Sequence, residues 1–390
     1  MTKVTFIQPS LSGIGSIEKI VPIIAKGLVA HGFLIDTVSF YDPEDFCPDW
    51  SNNHVTLRER TTTGLLDKCK KIYQRLRFLS KIIKNQRPDI IIVSTHGSTL
   101  IVLFLKAIRV ITVPVIVYVH QALTASDRGY MVGTKLLYRF ADGFACVSQG
   151  VAHEVSAMAA SKQTQIAIVY NPLPQRHTNT VQNKTVLRAK QQPVLISAAR
   201  LEKIRGIDTL VDYCCTYFNN YPGELWILGD GSLRSQLEGK VVSMGMSDRI
   251  RFFGMVTNVE DYMLQATIYV SLARAEALGV SLIEALSMGL PLISTDVPYG
   301  PREVMDISAI PGSYPQVTKY GLLISNLYKH DSGQETKDSY NEFVTAVNMI
   351  VENKINFPPT NLIDRSGFFS TDRAVSSMVL LINKLKNSAS

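Results

Sequence analysis

Short apolar runs alternate with segments of helical periodicity along most of the chain. Val115–Val119 and Ile90–Ser94 are almost continuously apolar, which is typical of parallel strands buried on both faces. Ile17–Ala30 instead repeats its apolar residues at helical spacing. A chain that alternates these two patterns is expected to fold as an α/β protein with a doubly wound parallel sheet.

The alternation is interrupted once and then restarts, which predicts two such domains. Residues 176–192 are polar and lack apolar periodicity, as expected of an interdomain linker. We therefore predict Rossmann-like domains over 1–175 and 193–370. A C-terminal helix over 371–390 is expected to pack back on the first domain. Because doubly wound sheets bind ligands at the carboxyl ends of their strands, two of them predict a cleft in which two substrates meet.

Composition narrows the class of protein. With 46% hydrophobic and 19% charged residues among 390, each half can bury a core, and a disordered chain is excluded. The five cysteines show no paired spacing, which argues against a disulfide framework or a zinc site. Met1 leads directly into a strand pattern, and no long uncharged stretch follows. We therefore expect a cytoplasmic protein without a signal peptide or membrane span.

The positive charge lies in the first half of the chain. Residues 1–180 hold 20 Lys and Arg against 12 Asp and Glu, whereas the remainder holds 20 against 21. Much of the excess falls on a predicted helix, Lys68–Lys84. The helix could be an ordinary solvated helix, or it could contact an anionic membrane peripherally. Nucleic acid is not expected, because no recognition motif accompanies the charge.

The second half contains two glutamates, Glu276 and Glu284, on either side of a predicted helix start. A strand ends at Ser271, and a helix begins near Val280 after Gly279. The unpaired N–H groups and dipole at such a start suit a diphosphate. Gly279 would let the ligand approach the backbone closely. Carboxylates suit sugar hydroxyls, because each oxygen accepts a hydrogen bond.

This Glu-x7-Glu element resembles the signature of glycosyltransferase family 4, whose members have the GT-B fold. Three further segments resemble that family over most of the chain: Arg200–Gly206, Leu228–Arg234 and Phe252–Val256. The stretch Asp296–Glu303 is similar to that of a subgroup that assembles surface polysaccharides, including lipopolysaccharide. The family usually has Lys where this chain has Arg205. Arg differs from Lys in binding through a planar fork.

The resemblance implies a set of site residues. The catalytic group would comprise His120 near the donor sugar, Glu276, and the cations Arg200 and Arg205 on the diphosphate. Contacts to the donor would come from Gly15, Gly229, Val256, Leu278, Gly279, Val280, Ser281 and Glu284.

The resemblance implies a retaining hexosyltransferase or N-acetylhexosaminyltransferase. It would use a nucleotide sugar, most simply a UDP-sugar, and a glycan or lipid-linked acceptor. The chain has no Asp-x-Asp motif, so we expect neither a metal nor a cofactor. The leaving-group charge would be met by cations and helix N-termini.

Three other functions have to be weighed. A GT-B epimerase acting on a UDP-sugar without an acceptor and a non-catalytic subunit that binds nucleotide sugars both remain open. A dinucleotide-dependent oxidoreductase is disfavoured for two reasons. Glu18 stands where the third glycine of the fingerprint belongs, and Asp36 lies within a strand pattern.

Overall fold

A computed structural model describes residues 1–12, 16–43, 45–59, 65–122, 128–158, 164–173, 192–307, 312–326 and 337–389. The chain divides into two compact units. The first comprises Met1–Pro174 with Ser370–Ser390, and the second comprises Gln175–Phe369. Most of the predicted linker, like Gly15, lies outside the described residues.

The first unit is built on a seven-stranded parallel sheet with the order β3-β2-β1-β4-β5-β6-β7. Its central strands are fully buried, as their apolar sequences predict. Apart from β2 and β3, successive strands are connected by helices, which pack on the sheet. The strands are β1 Lys3–Ile7, β2 Leu34–Ser39, β3 Asn53–Thr56, β4 Ile90–Val93, β5 Val115–Val119, β6 Gly143–Cys146 and β7 Gln165–Ile168, and the helices are α1 Ser16–Ala30, α2 Leu65–Gln86, α3 His96–Ala107, α4 Arg128–Leu137 and α5 Gln149–Met158.

The second unit repeats this architecture around a sheet with the order β10-β9-β8-β11-β12-β14-β13, and among its described strands only the edge strand β13 is antiparallel. The strands are β8 Val194–Ala198, β9 Glu224–Leu228, β10 Ile250–Gly254, β11 Ile268–Ser271, β12 Leu292–Thr295, β13 Gln316–Val317 and β14 Gly321–Ile324, and the helices are α6 Ile207–Tyr217, α7 Arg234–Ser243, α8 Val259–Met263, α9 Val280–Ser287, α10 Pro301–Val304, α11 Lys337–Val351 and α12 Pro359–Gly367.

The chain ends in a helix that belongs to the first unit. α13, Thr371–Ala389, packs on α1 and on β6 and β7. Its buried side chains recur every three or four residues, at Ala374, Met378, Leu381 and Leu385. The first unit is thus completed by two separate stretches of the sequence. Among the described residues, no helix is long and apolar enough to cross a bilayer.

The α/β class and the two doubly wound sheets predicted from the sequence are confirmed. Asp36 does not fit the ribose-binding acid of a dinucleotide-dependent oxidoreductase, because it is fully buried in β2 and forms an ion pair with Lys3 at 3.0 Å. That carboxylate is therefore not available to a ribose.

Candidate functional site

The carboxyl end of β8 presents an exposed cation. Arg200 lies two residues beyond the strand, where the chain turns towards α6. Its side chain is exposed, and within the part of the chain that the structure describes no hydrogen bond or ion pair of its guanidinium is recorded. Arg200 is therefore available to an anionic ligand.

Arg205, the second predicted cation, is already engaged. It lies in a short 3₁₀ turn, Lys203–Arg205, and its Nη1 forms an ion pair with Oε2 of Glu276. The two side chains are 30% and 16% exposed, respectively. Since Oε1 of Glu276 also accepts the N–H of Ala277 at 3.1 Å, both oxygens of this carboxylate are held.

Gly279 separates Glu276 from the first turn of α9 and adopts a left-handed conformation, with φ 86° and ψ 66°. A Cβ at this position would lie 2.7 Å from Cδ1 of Leu282. The glycine is thus required by the turn itself, in addition to any approach of a ligand. Leu278 is buried before the turn, and Val280 and Ser281 form the helix start, where backbone N–H groups lack partners within the helix.

A buried tyrosine in β11 joins three elements of this site. The hydroxyl of Tyr269 donates to the carbonyl oxygen of Ala198 at 3.2 Å and is hydrogen-bonded to the Ser281 side chain. Burial raises the pKa of Tyr269 to about 12, and the charges of Glu284 and Glu276 add to the increase. The charges of both carboxylates therefore reach the Tyr269 hydroxyl.

The loop after β9 is joined to the loop after β8 by backbone hydrogen bonds. The N–H of Leu201 donates to Asp230 at 2.9 Å, and the N–H of Leu233 donates back to Leu201 at 3.0 Å. Gly229 directly follows β9 and donates to the carbonyl of Gly254 at 2.8 Å. Val256 lies two residues after β10 and is half-buried.

Two arginines stabilise the loops around the site, and sequence reasoning did not identify their partners. Arg274 makes a bidentate ion pair with Asp208 at 2.7 and 2.8 Å. Arg302 forms a bidentate ion pair with Asp296, and the hydroxyl of Tyr314 donates to the same carboxylate. Only contacts in the folded chain reveal that Arg274 and Tyr269 belong to the site, because neither lies in a recognised motif.

In the first unit, His120 follows β5 directly. Its Nδ1 lies 3.2 Å from Oδ1 of Asn171, whereas its Nε2 is buried without a hydrogen-bond partner in the described chain. Burial lowers the pKa of His120 to about 4, so the ring is neutral near pH 7. A small cavity of about 50 Å³ lies beside it, lined by residues that include Ser94, Thr95 and Gln121. Ser148 caps α5 by accepting the N–H of Val151 at 3.2 Å.

Two family models match consecutive parts of the chain. The model described as Glycosyltransferase Family 4 matches residues 17–175, and the model described as Glycosyl transferases group 1 matches residues 179–307. Together they cover most of the sequence, one for each unit.

Proteins of similar sequence are also named as glycosyltransferases. An uncharacterized glycosyltransferase of Methanocaldococcus jannaschii is 24% identical over 372 residues, which are 88% of this chain and 91% of that protein. A lipopolysaccharide 1,6-galactosyltransferase of Salmonella typhimurium is 22% identical over 78% of this chain and 82% of its own length.

Solved structures share the whole fold. A lipopolysaccharide outer core galactosyltransferase in its apo form superposes with a TM-score of 0.73 and 18% identity, over 98% of this chain and 99% of that one. Anabaena HepE in complex with UDP and glucose superposes with a TM-score of 0.71 and 15% identity, over 98% of this chain and 100% of that one.

Proposed function

The chain belongs to glycosyltransferase family 4, and we propose that it transfers a hexose or an N-acetylhexosamine from a UDP-sugar to a glycan or lipid-linked acceptor. The chain is a glycosyltransferase of the GT-B type, related to enzymes of lipopolysaccharide synthesis. What we propose concerns the donor, the acceptor and the mechanism. One observation carries it: the buried Tyr269 joins Ala198, at the end of β8 two residues before the exposed Arg200, to Ser281 at the start of α9, and Glu276 is held in the loop before that helix.

This arrangement offers separate partners for the parts of a nucleotide sugar. The N-terminus of α9 and Arg200 would hold the diphosphate, since both favour negative charge. Glu276 would accept hydrogen bonds from hydroxyls of the transferred sugar, and Glu284 from those of the ribose. A UDP donor is supported by Anabaena HepE, a structural neighbour that was solved with UDP and glucose.

We propose a retaining, metal-independent reaction for this site. The diphosphate would leave towards Arg200 and the helix start, which stabilise its developing charge without reorganisation. The acceptor hydroxyl would attack the same face of an oxocarbenium-like sugar and pass its proton to the leaving diphosphate oxygen, because no described side chain is placed as a covalent nucleophile. His120 would orient the sugar as a neutral hydrogen-bonding group, since an imidazole with a pKa of about 4 is not protonated to imidazolium near neutrality and so cannot act as a general acid.

The acceptor proposal includes a peripheral contact with an anionic membrane through α2. The helix holds seven Lys and Arg residues and one acid, Asp67. Arg75 is an exception, because it turns inward to Glu59 and Tyr41 and lies over the Phe40 ring. Its guanidinium therefore does not belong to the surface that would meet lipid.

The proposed function is tested by thermal unfolding with UDP-, GDP- and ADP-sugars in the presence of EDTA. A ligand that binds only the folded protein raises its melting temperature by mass action. We expect a selective shift with one UDP-sugar. Arg200→Ala and Glu276→Gln should abolish it, whereas Arg251→Ala and Glu352→Gln, at exposed positions of the same unit, should not.

The remaining outcomes count against parts of the proposal. A shift that requires a divalent cation would contradict metal independence. Interconversion of a UDP-sugar without acceptor would indicate an epimerase instead. If no nucleotide sugar shifts the wild-type protein, the assigned donor site is wrong. Once an acceptor is known, the anomeric configuration of the product, measured by NMR, tests retention.

A further inference from the structure

The outer side of α3 is apolar, which is unusual for a helix at a protein surface. Phe104 and the capping residue Ile108 are 42% and 53% exposed, one turn apart on the same line. The only charged residue of the helix, Lys106, pairs with Asp142 at 2.7 Å and donates to Val113 at 2.8 Å. Because these contacts hold the Lys106 amine, it does not cover the apolar side chains of Phe104 and Ile108.

The apolar line continues onto the next helix. Leu100, one turn before Phe104, lies against Gly133 of α4, where a Cβ would come within 3.3 Å of its Cδ1. α4 then exposes Val132 and Leu136, at 70% and 54%. Two neighbouring helices therefore share one apolar surface.

Cations border this surface on both sides. On α2, which packs on the other side of α3, an exposed stripe follows helical spacing through Lys70, Tyr73, Arg77, Lys81 and Lys84. On α4 and the turn after it, two exposed basic residues border the same surface, Lys135 and Arg139.

The charge on these helices is almost entirely of one sign. α2, α3 and α4 together hold ten Lys and Arg residues and a single acid, Asp67. An apolar strip bordered by cations complements the interface of a bilayer, where acyl chains lie beneath anionic phosphates. A protein partner would need acidic groups arranged around an apolar ridge, whereas an anionic lipid surface supplies that arrangement everywhere.

We propose that these outer surfaces of α2, α3 and α4, here called the three-helix face, lie flat on an anionic bilayer and insert Phe104, Ile108 and Leu136 among the lipids. The cations would reach the phosphates while their alkyl stems stay in the apolar layer. This inference rests on the proposed membrane contact of α2 and extends it. It adds the insertion of apolar side chains to the electrostatic attraction of the cations. Insertion would keep the first unit at the surface where a lipid-linked acceptor lies.

The two forces respond differently to salt, and the experiment uses this difference. Full-length protein is sedimented with vesicles of phosphatidylcholine alone or mixed with phosphatidylglycerol, at low and at high salt. Salt screens attraction between exposed charges, whereas insertion of apolar side chains persists. The apolar variant is Phe104→Ser with Ile108→Ser, and the charge variant is Lys81→Gln with Lys84→Gln. The matched control is Leu380→Ser, at a 62% exposed position of α13.

We expect the wild type to bind the mixed vesicles and to retain part of that binding at high salt. The apolar variant should lose about tenfold or more of its high-salt affinity. The charge variant should lose mainly low-salt affinity, and the control should match the wild type. A conservative variant, Phe104→Trp, should keep binding and gain a blue-shifted tryptophan emission on vesicles.

Several results would overturn the inference. Equal binding to both kinds of vesicle would remove the electrostatic part, and unchanged high-salt binding by the apolar variant would remove insertion. If the wild type is a dimer that the apolar variant converts to a monomer without effect on vesicles, a second copy covers the face instead. Donor binding measured without vesicles is independent of all these outcomes, so failure of the donor site and failure of the three-helix face are distinguishable.

Discussion

Arg205 and Glu276, 71 positions apart in the sequence, form an ion pair that links the loop after β8 to the loop before α9. The pair fixes one carboxylate oxygen, and the adjacent N–H of Ala277 fixes the other. We therefore expect Arg205 to act by positioning Glu276. The exposed Arg200 is left as the cation that is better placed to meet a diphosphate.

The first prediction concerns this pair. Arg205→Ala should lower turnover by more than about tenfold, because the freed Glu276 carboxylate would no longer be held in one orientation. Glu276→Ala alone should lower turnover at least as much. The double variant should be little worse than Glu276→Ala, since Arg205 acts through the same carboxylate. Steady-state kinetics of the four proteins measure the coupling, and fully additive losses would show that Arg205 contacts the substrate independently.

The second prediction concerns Arg200. Arg200→Ala should reduce turnover by more than about tenfold and weaken UDP binding, because the leaving diphosphate loses its exposed cation. Arg200→Lys should recover part of both, as a point charge replaces a planar fork. Calorimetric titration with UDP and turnover assays provide the two readouts. Near-wild-type turnover in Arg200→Ala would contradict the assignment.

Much of the fold follows from the sequence, because buried parallel strands leave an unmistakable apolar pattern. β5 has the bounds of the apolar run Val115–Val119 that predicted it, and β11 ends at Ser271 as predicted. Elements with weaker patterns could not be predicted from the sequence. β3, Asn-His-Val-Thr, is an exposed or half-buried edge strand without an apolar run. α3 is not recognisable from periodicity either, because a helix that is apolar on its outer side lacks a clear amphipathic period.

The site was only partly predictable, for a related reason. Glycines and paired carboxylates near a helix start can be recognised from spacing, so Glu276 and Gly279 could be singled out. The partner that a charged side chain selects depends on which loops the sheet order brings together. The pairing of Arg205 with Glu276, and of Arg274 with Asp208, arises because β8 and β11 are neighbours in the sheet.

The third prediction concerns pH and His120. Burial lowers its pKa from 6.5 to about 4. Between these values an unfolded chain binds a proton that the folded chain does not, so the free energy of unfolding falls as the pH drops through this window. Relative to His120→Gln, the wild type should lose about 2 kcal/mol more between pH 7 and pH 5.

Urea unfolding of both proteins at the two pH values measures this difference. His54 and His96, whose pKa values are also lowered by burial, contribute equally to both and cancel. Identical pH dependence of wild type and variant would show that folding does not lower the pKa of His120, which would contradict its burial as a group that stays neutral below pH 6.5.

The last prediction separates the two reasons for a glycine at the start of α9. Gly279→Ala places a Cβ in a left-handed conformation and 2.7 Å from Leu282, which should destabilise the second unit by about 1–3 kcal/mol. If the turn also positions N–H groups for a diphosphate, UDP affinity should fall by more than about tenfold. Gly239→Ala is the matched control, because Gly239 lies within α7 and no atom of the described residues comes within 4 Å of where its Cβ would be. This variant should be neutral or slightly stabilising. Thermal unfolding and calorimetric titration with UDP report the two effects separately. Destabilisation with unchanged UDP affinity would confine Gly279 to the turn and remove the helix start from the donor site.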